Sequence, residues 1–305
     1  MNPNPMAARG NPTVRDALRW VARRLATFVD SPDVEAEILL GHVLGRSRAE
    51  LYARSGDLLA AELASLQAMV DRRRAGEPLQ YVTGHQAFRR LDLLVGPGVL
   101  VPRPETEMVV EHALERIAGV DSPVIVDVGT GSGAIALSVA TERPDARVWA
   151  TEVSPAAAAW ARRNLERVGA ANLTILEGDL LAPLPAGLAG GVDLVVANPP
   201  YLSETELGLT AADVRDHEPT VATVSGPTGL EVPARVVEDA WPWLRPGGWL
   251  VMETWPGQAE ALEELLATRY GDIGLHPDLT GSLRIADGRR PSTPPGVGDG
   301  VDSRP

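Results

Sequence analysis

The chain reads as an α/β protein: a doubly wound, mostly parallel sheet, preceded by a small helical bundle and a β-hairpin linker. Three observations predict this. From Val124 onward, short apolar runs alternate with helical patterns, the signature of a parallel sheet with crossover helices. Ahead of Gly76, apolar residues recur at helical spacing instead. Between them, Gln80 to Val101 carries short β-like pieces broken by Gly84, Gly96, Pro97 and Gly98.

In the helical part, Val14, Leu18, Val21 and Leu25 mark a first helix. Ser31-Pro32 ahead of Val34, Ile38, Leu39 and Val43 supplies a cap, a proline at the first helical position and an apolar face, closed by Gly45. Ser47 with Glu50 fits a capping box. Leu59, Leu63, Leu66 and Val70 mark another helix, ending in Arg72-Arg73-Arg74 and Gly76, where the helix dipole favours cations and the C-cap favours glycine. Gln80-Tyr81-Val82 and Leu91 to Val95 read as the hairpin. Strands are then expected at Val124–Val128, Arg147–Glu152, Leu173–Leu176, Val192–Ala197, Trp249–Glu253 and Ser282–Ala286. Helices are expected from Ala134, over Pro155–Val168, around Val232–Trp243 and over Gln258–Ala267. The boundaries are a helical domain over residues 1–79, the linker over 80–104, the sheet domain over 105–290, and a Gly/Pro/Ser/Asp-rich tail over 291–305 expected to be disordered.

Composition narrows the chemistry. Cysteine is absent, which removes disulfides, thiolate metal sites and cysteine nucleophiles. All 28 basic residues are arginine, so Schiff-base and Walker-type phosphate chemistry are excluded. A net charge of −13 argues against a long polyanion as partner, so no direct nucleic-acid binding is expected. With no basic-then-apolar leader and no apolar stretch able to span a bilayer, the expectation is a cytoplasmic protein without a membrane partner. His42, His85, His112, His217 and His276 are scattered without metal-ligand spacing, and no metal is expected.

The loop Asp127-Val128-Gly129-Thr130-Gly131-Ser132-Gly133-Ala134 follows a strand and opens a helix, where bare backbone lets a ligand approach. Glu152 ends the next strand, about twenty residues on, placed to bind both ribose hydroxyls of an adenosine cofactor. Asp179 and Leu180 follow the third strand, with an expected place at the adenine ring. The loop alone fits NAD as well as S-adenosylmethionine. The acids Asp127, Glu152 and Asp179 favour the latter, whose sulfonium is cationic and which has no pyrophosphate.

Asn198-Pro199-Pro200-Tyr201 closes the apolar run Val192–Ala197. Two prolines carry no backbone N–H, so this turn offers carbonyl oxygens and almost no donors. With the Asn198 side-chain oxygen and the Tyr201 ring beside it, the turn suits a planar NH2 group, as in an amide, amidine or aminopurine. Asn198, Pro199 and Tyr201 are the catalytic candidates, and Pro200 joins them in substrate binding.

These residues resemble the class I S-adenosylmethionine-dependent methyltransferases and, within them, the release-factor glutamine methyltransferase family (HemK/PrmC type). The resemblance runs from about Val14 to Arg290, through Gly76-Glu77-Pro78-Leu79-Gln80-Tyr81-Val82-Thr83-Gly84, Val99-Leu100-Val101-Pro102-Arg103-Pro104-Glu105-Thr106-Glu107, the glycine loop and the Asn-Pro-Pro-Tyr turn. It implies a seven-stranded methyltransferase sheet and S-adenosylmethionine as cofactor, held by Asp127, Gly129, Thr130, Gly131, Ser132, Gly133, Glu152, Asp179, Leu180 and Asn198. Arg103, Glu105 and Glu107, ahead of the first strand, are expected either to close over the cofactor or to form a structural ion pair that fixes the linker. The implied reaction is N5-methylation of the glutamine in the Gly-Gly-Gln motif of class I peptide chain release factors, with the helical domain docking that protein substrate. Three places depart from the family pattern: His217 before Glu218-Pro219, Pro227-Thr228-Gly229-Leu230, and Glu253-Thr254-Trp255. Glu218 itself reads as a solvated loop acid. A diverged member methylating a nitrogen of a small metabolite stays open, as does a cofactor-binding adaptor without activity. An adenine-N6 nucleic-acid enzyme is disfavoured by the charge, and an NAD-dependent oxidoreductase by the absence of a hydride-handling dyad.

Overall fold

The computed structural model describes residues 12–53 and 57–292. The expected tail therefore lies almost wholly outside the described residues. The chain divides into two compact units, one running to His85 and including Ala211–His217, the other comprising Gln86–Thr210 and Glu218 onward.

The first unit is helical, with α1 (Val14–Leu25), α2 (Pro32–Leu44), α3 (Arg48–Ala53), α4 (Ala60–Arg74) and α5 (Leu79–Thr83). Thr13 caps α1 through a reciprocal bond with Asp16, and Ser47 and Glu50 form the expected capping box. On α2 the proline sits at the helix start and Gly45 closes the end at φ 59°, but the Ser31 side chain makes no capping bond. The face of α2 also differs from expectation: Leu39 and Leu40 are buried, while Val34 and Ile38 are exposed. The core gathers Trp20, Val21, Leu25, Leu39, Leu40, Leu66 and Val70. The arginine triplet is engaged within the unit, with Arg72 on Glu77, Arg73 on Glu35 and Arg74 over the Phe28 ring. Gln80-Tyr81-Val82 is helical, not β. Pro78 starts the turn, Gly84 ends it in the left-handed conformation, and the Tyr81 and Val82 side chains are buried, so packing decides against the β-prone residues.

The second unit opens with the hairpin β1 (His85–Phe88) and β2 (Leu91–Leu94), then α6 (Pro104–Arg116), a helix the sequence reading did not assign. Next come β3 (Val124–Val128), α7 (Ala134–Glu142), β4 (Arg147–Glu152), α8 (Pro155–Val168), β5 (Leu173–Glu177) and β6 (Val192–Ala197). Three short helices, α9 (Glu204–Leu207), α10 (Ala212–His217), which belongs to the first unit, and α11 (Thr220–Thr223), precede α12 (Glu231–Ala240), β7 (Leu244–Glu253), α13 (Ala259–Ala267), β8 (Gly271–Pro277) and β9 (Leu283–Arg289). The seven-stranded sheet has the order β5-β4-β3-β6-β7-β9-β8. β5 to β7 are parallel, and β9 and β8 are antiparallel additions. Strand alternation splits the core in two: Ile125, Leu194 and Val196 face one side with α6 and α7, while Val126, Val195 and Ala197 face the other with α12 and α13. Strand order reverses between β3 and β6, and a parallel sheet opens a ligand crevice at the carboxyl edge of such a switch point.

Candidate active site

The crevice is a cavity of about 290 Å³. Gly129, Thr130, Gly131 and Ser132 line it after β3, Glu152 after β4, Asp179 and Leu180 after β5, and Asn198, Pro199 and Pro200 after β6. The glycine loop and the proline corner therefore open onto one space.

The donor end is shaped by backbone. The N–H groups of Gly129 and Thr130 both donate to the Thr151 carbonyl at 2.9 Å, and that of Gly131 donates to Glu152 Oε2 at 2.8 Å. These three donors turn toward β4. Glu152 takes a second backbone bond, from the Ser154 N–H to Oε1 at 2.8 Å, so both oxygens are fixed beside the cavity. Burial raises the Glu152 pKa, against the backbone bonds that lower it. A glycine-shaped floor, fixed acid oxygens and Arg235 as the lone basic residue of the lining, paired at 2.5 Å with Asp179, make this end electrostatically suited to a cationic ligand.

Asp127 and Gly133 sit beneath this end and do not line it. Asp127 is wholly buried. Its Oδ2 accepts from Thr130 Oγ1 at 2.6 Å and from the Ala136 N–H at 3.0 Å, which ties the loop to the start of α7. Burial, with a smaller contribution from the Glu152 charge, pushes its pKa up to about 7 against those hydrogen bonds. Gly133, at φ 87°, begins α7 where a Cβ would press to 3.0 Å from Leu137 Cδ1.

At the acceptor end, Asn198 Nδ2 donates to Thr106 Oγ1 at 3.2 Å, and Thr106 Oγ1 donates to Glu253 Oε2 at 2.6 Å. Tyr201 lies outside the lining. Its hydroxyl donates to Glu253 Oε1 at 3.2 Å and its ring stacks on Trp255, centroids 6.1 Å apart, with the Arg284 guanidinium over the Trp255 ring. The Tyr201 carbonyl accepts from Gln258 Nε2 at 2.8 Å. Gly229 lies against both: a Cβ there would meet the Gln258 nitrogen at 2.3 Å and the Tyr201 oxygen at 2.4 Å. The turn is thus held from behind by Glu253, Trp255 and Gln258.

Arg103 and Glu107 are not among the lining residues. Arg103 Nη2 donates to Glu218 Oε2 at 2.5 Å, and the Val101 N–H donates to Glu218 Oε1 at 3.2 Å. Glu218 is therefore a buried acid and not a solvated one, because it pins the Val101–Arg103 segment. Leu100 and Pro102 of that stretch, with Pro219, form cavity wall. The Glu107 carbonyl accepts from Arg89 Nη1. Sequence reasoning missed Thr106, Glu253 and Gln258 as neighbours of the site. Thr106 stood inside the quoted Arg-Pro-Glu-Thr-Glu run and Glu253 within a flagged departure, but no spacing rule joins residues so far apart in the chain.

The histidines are less scattered than their spacing implies. His112 Nε2 lies 2.7 Å and His276 Nε2 3.3 Å from the two oxygens of buried Asp287, in a grouping that could hold a metal ion. Arg116 Nε also donates to Asp287, at 2.5 Å. Burial acts to raise the Asp287 pKa, but the bonds from His112 and Arg116 outweigh it and hold the carboxyl below its usual range.

A sheet of this order, with an acid-flanked glycine loop and a donor-poor corner at its switch point, defines a methyltransferase. Residues 16–84 match the PrmC N-terminal domain family and residues 105–214 the methyltransferase small domain family. The release factor glutamine methyltransferase of Moorella thermoacetica is 46% identical over 277 residues, covering 89% of this chain and 96% of the relative. That of Streptomyces coelicolor is 42% identical, covering 86% and 92%. The chain belongs to the release factor glutamine methyltransferase family. Among solved structures, a methyltransferase from Pyrococcus furiosus superposes with a TM-score of 0.50 at 20% identity, covering 74% of this chain and 98% of that one, a likeness of fold. No helix among the described residues is long and apolar enough to cross a membrane.

Proposed function

We propose that the protein transfers the methyl group of S-adenosylmethionine to the side-chain amide nitrogen (N5) of the glutamine in the Gly-Gly-Gln motif of class I peptide chain release factors. The observation that carries this reading is the shared cavity: the glycine loop with Glu152 and the Asn198-Pro199-Pro200 corner line one space. Family membership at 46% identity over most of the chain supports the choice of substrate.

S-adenosylmethionine, when bound, supplies an electrophilic methyl on a cationic sulfur. The glycine loop would admit it, Glu152 would hold its ribose hydroxyls, and Asp179 and Leu180 would border its adenine. An amide nitrogen is a poor nucleophile because its lone pair is delocalised into the carbonyl, so positioning must supply most of the catalysis. Asn198 Oδ1 and the Pro199 carbonyl accept the two N–H protons, which enriches the nitrogen and aims it across the cavity. After transfer, the methylated nitrogen releases one of those protons to water, which restores the neutral amide. The helical unit is read as the seat of the protein substrate. Arg103 has another task, to hold the cavity wall through Glu218.

Incubation of the purified protein with labelled donor and either a release-factor domain or glutamine-bearing metabolites tests the reading. Label confined to the release factor, as one methyl on the Gly-Gly-Gln glutamine by mass spectrometry, is the expected result. Label on a metabolite alone would reject the substrate.

A further inference from the structure

Behind the acceptor corner, hydrogen-bond chemistry fixes a direction. Glu253 is 2% exposed, at the end of a central strand; burial raises its pKa, against the bonds from Thr106 and Tyr201 and the Arg284 charge, and in its ionised form the carboxylate can only accept. It receives the Tyr201 hydroxyl on one oxygen and the Thr106 hydroxyl on the other, the latter at 2.6 Å, in the range of a strong charge-assisted bond. Thr106 has one hydroxyl proton, and that bond uses it. Only lone pairs remain on Thr106 Oγ1 for Asn198, 3.2 Å away. With Glu253 ionised, Asn198 turns its NH2 inward, and its Oδ1, which has no partner among the described residues, is left for the cavity. The opposite rotamer would set two N–H donors against a substrate nitrogen that also presents donors.

We propose that Glu253, acting through Thr106, is a positioning residue that fixes which way the Asn198 amide faces. This rests on the reading of Asn198 as an acceptor for the substrate NH2. The relay joins α6, the turn after β6 and the end of β7, so the orientation of one side chain in the cavity is set by a carboxylate that does not touch the substrate. Neither Ser nor any other hydroxyl acceptor from elsewhere in the cavity lining bonds Asn198, so Thr106 is where the relay can be cut.

The test is a double-mutant cycle with a conservative rescue. Thr106→Val is expected to lower kcat about tenfold, the effect of losing one hydrogen bond, while S-adenosylhomocysteine binding measured by calorimetry stays unchanged. Thr106→Ser restores turnover. In an Asn198→Ala background, Thr106→Val costs nothing further, because the residue it acts through is gone. Independently of activity, exchange of the Asn198 side-chain NH2 protons by NMR is slow in the wild type and in Thr106→Ser and fast in Thr106→Val. Additive losses in the cycle, or an Asn198 NH2 that exchanges equally in all three proteins, would overturn the relay while leaving the acceptor role of Asn198 standing. Unchanged turnover in Asn198→Ala alone would instead reject the reading beneath it. If Thr106→Val does not fold, Thr106→Ala carries the same expectations.

Discussion

The two ends of the cavity are built from different materials. At the donor end the backbone makes the surface: glycines clear the space, and the loop N–H groups reach β4 and Glu152 locally. At the acceptor end side chains make it, and its polarity is set by Thr106, which bonds Asn198 92 residues away, and by Glu253, which bonds Thr106 and Tyr201 147 and 52 residues away. A donor common to many methyltransferases can be held by a local motif. An acceptor nitrogen, whose lone pair must be aimed, needs a frame drawn from several elements.

Substitutions at the two ends separate their roles, and the effect on turnover declines in the order given. Asn198→Ala lowers turnover by about 10² to 10³, as does loss of one preorganised polar contact in comparable sites, with donor binding kept. Glu152→Ala acts on the other end: donor affinity measured by calorimetry falls about tenfold to a hundredfold, while turnover at saturating donor changes less. Gly229→Ala forces a Cβ onto Gln258 and the Tyr201 carbonyl at a backbone φ of 80°. It is expected to destabilise the protein by about 1–3 kcal/mol in denaturant titrations and to disturb the acceptor corner more than donor binding. Asp127→Asn has the smallest effect on turnover and shows in the stability profile. With the Asp127 carboxyl pushed up to about 7, the folded chain keeps a proton that the unfolded chain has released. Between about pH 4 and pH 7 the stability of the unliganded protein therefore falls as pH rises, then levels off, and Asp127→Asn flattens that slope.

The same contrast decides what the sequence disclosed. The glycine loop, Glu152 and the proline corner were legible because each is a short motif at the end of an apolar run, and the sheet rule sends all such ends to one edge. α6 was overlooked although Pro104 at its start and Glu105 and Glu107 in its first turn are ordinary helix-start signals. Its family-like motif drew the reading toward a loop over the cofactor. β8 carries Gly271, Asp272, Gly274 and Pro277, a poor strand composition that pairing with β9 overrides. Its Gly274 leaves room where a Cβ would strike His276 and Asp287. Glu218 looked solvated because nothing near it in sequence announces Arg103. Thr106 and Glu253 were readable as residues but not as partners, since their meeting depends on α6 lying against the end of β7.

The most direct test of the central claim is a crystal structure with S-adenosylhomocysteine and a Gly-Gly-Gln peptide bound together. The account predicts the glutamine nitrogen about 3 Å from both Asn198 Oδ1 and the Pro199 carbonyl, in the same cavity as the thioether sulfur. A glutamine side chain bound away from that corner, or an Asn198 amide facing it with its NH2, would contradict it.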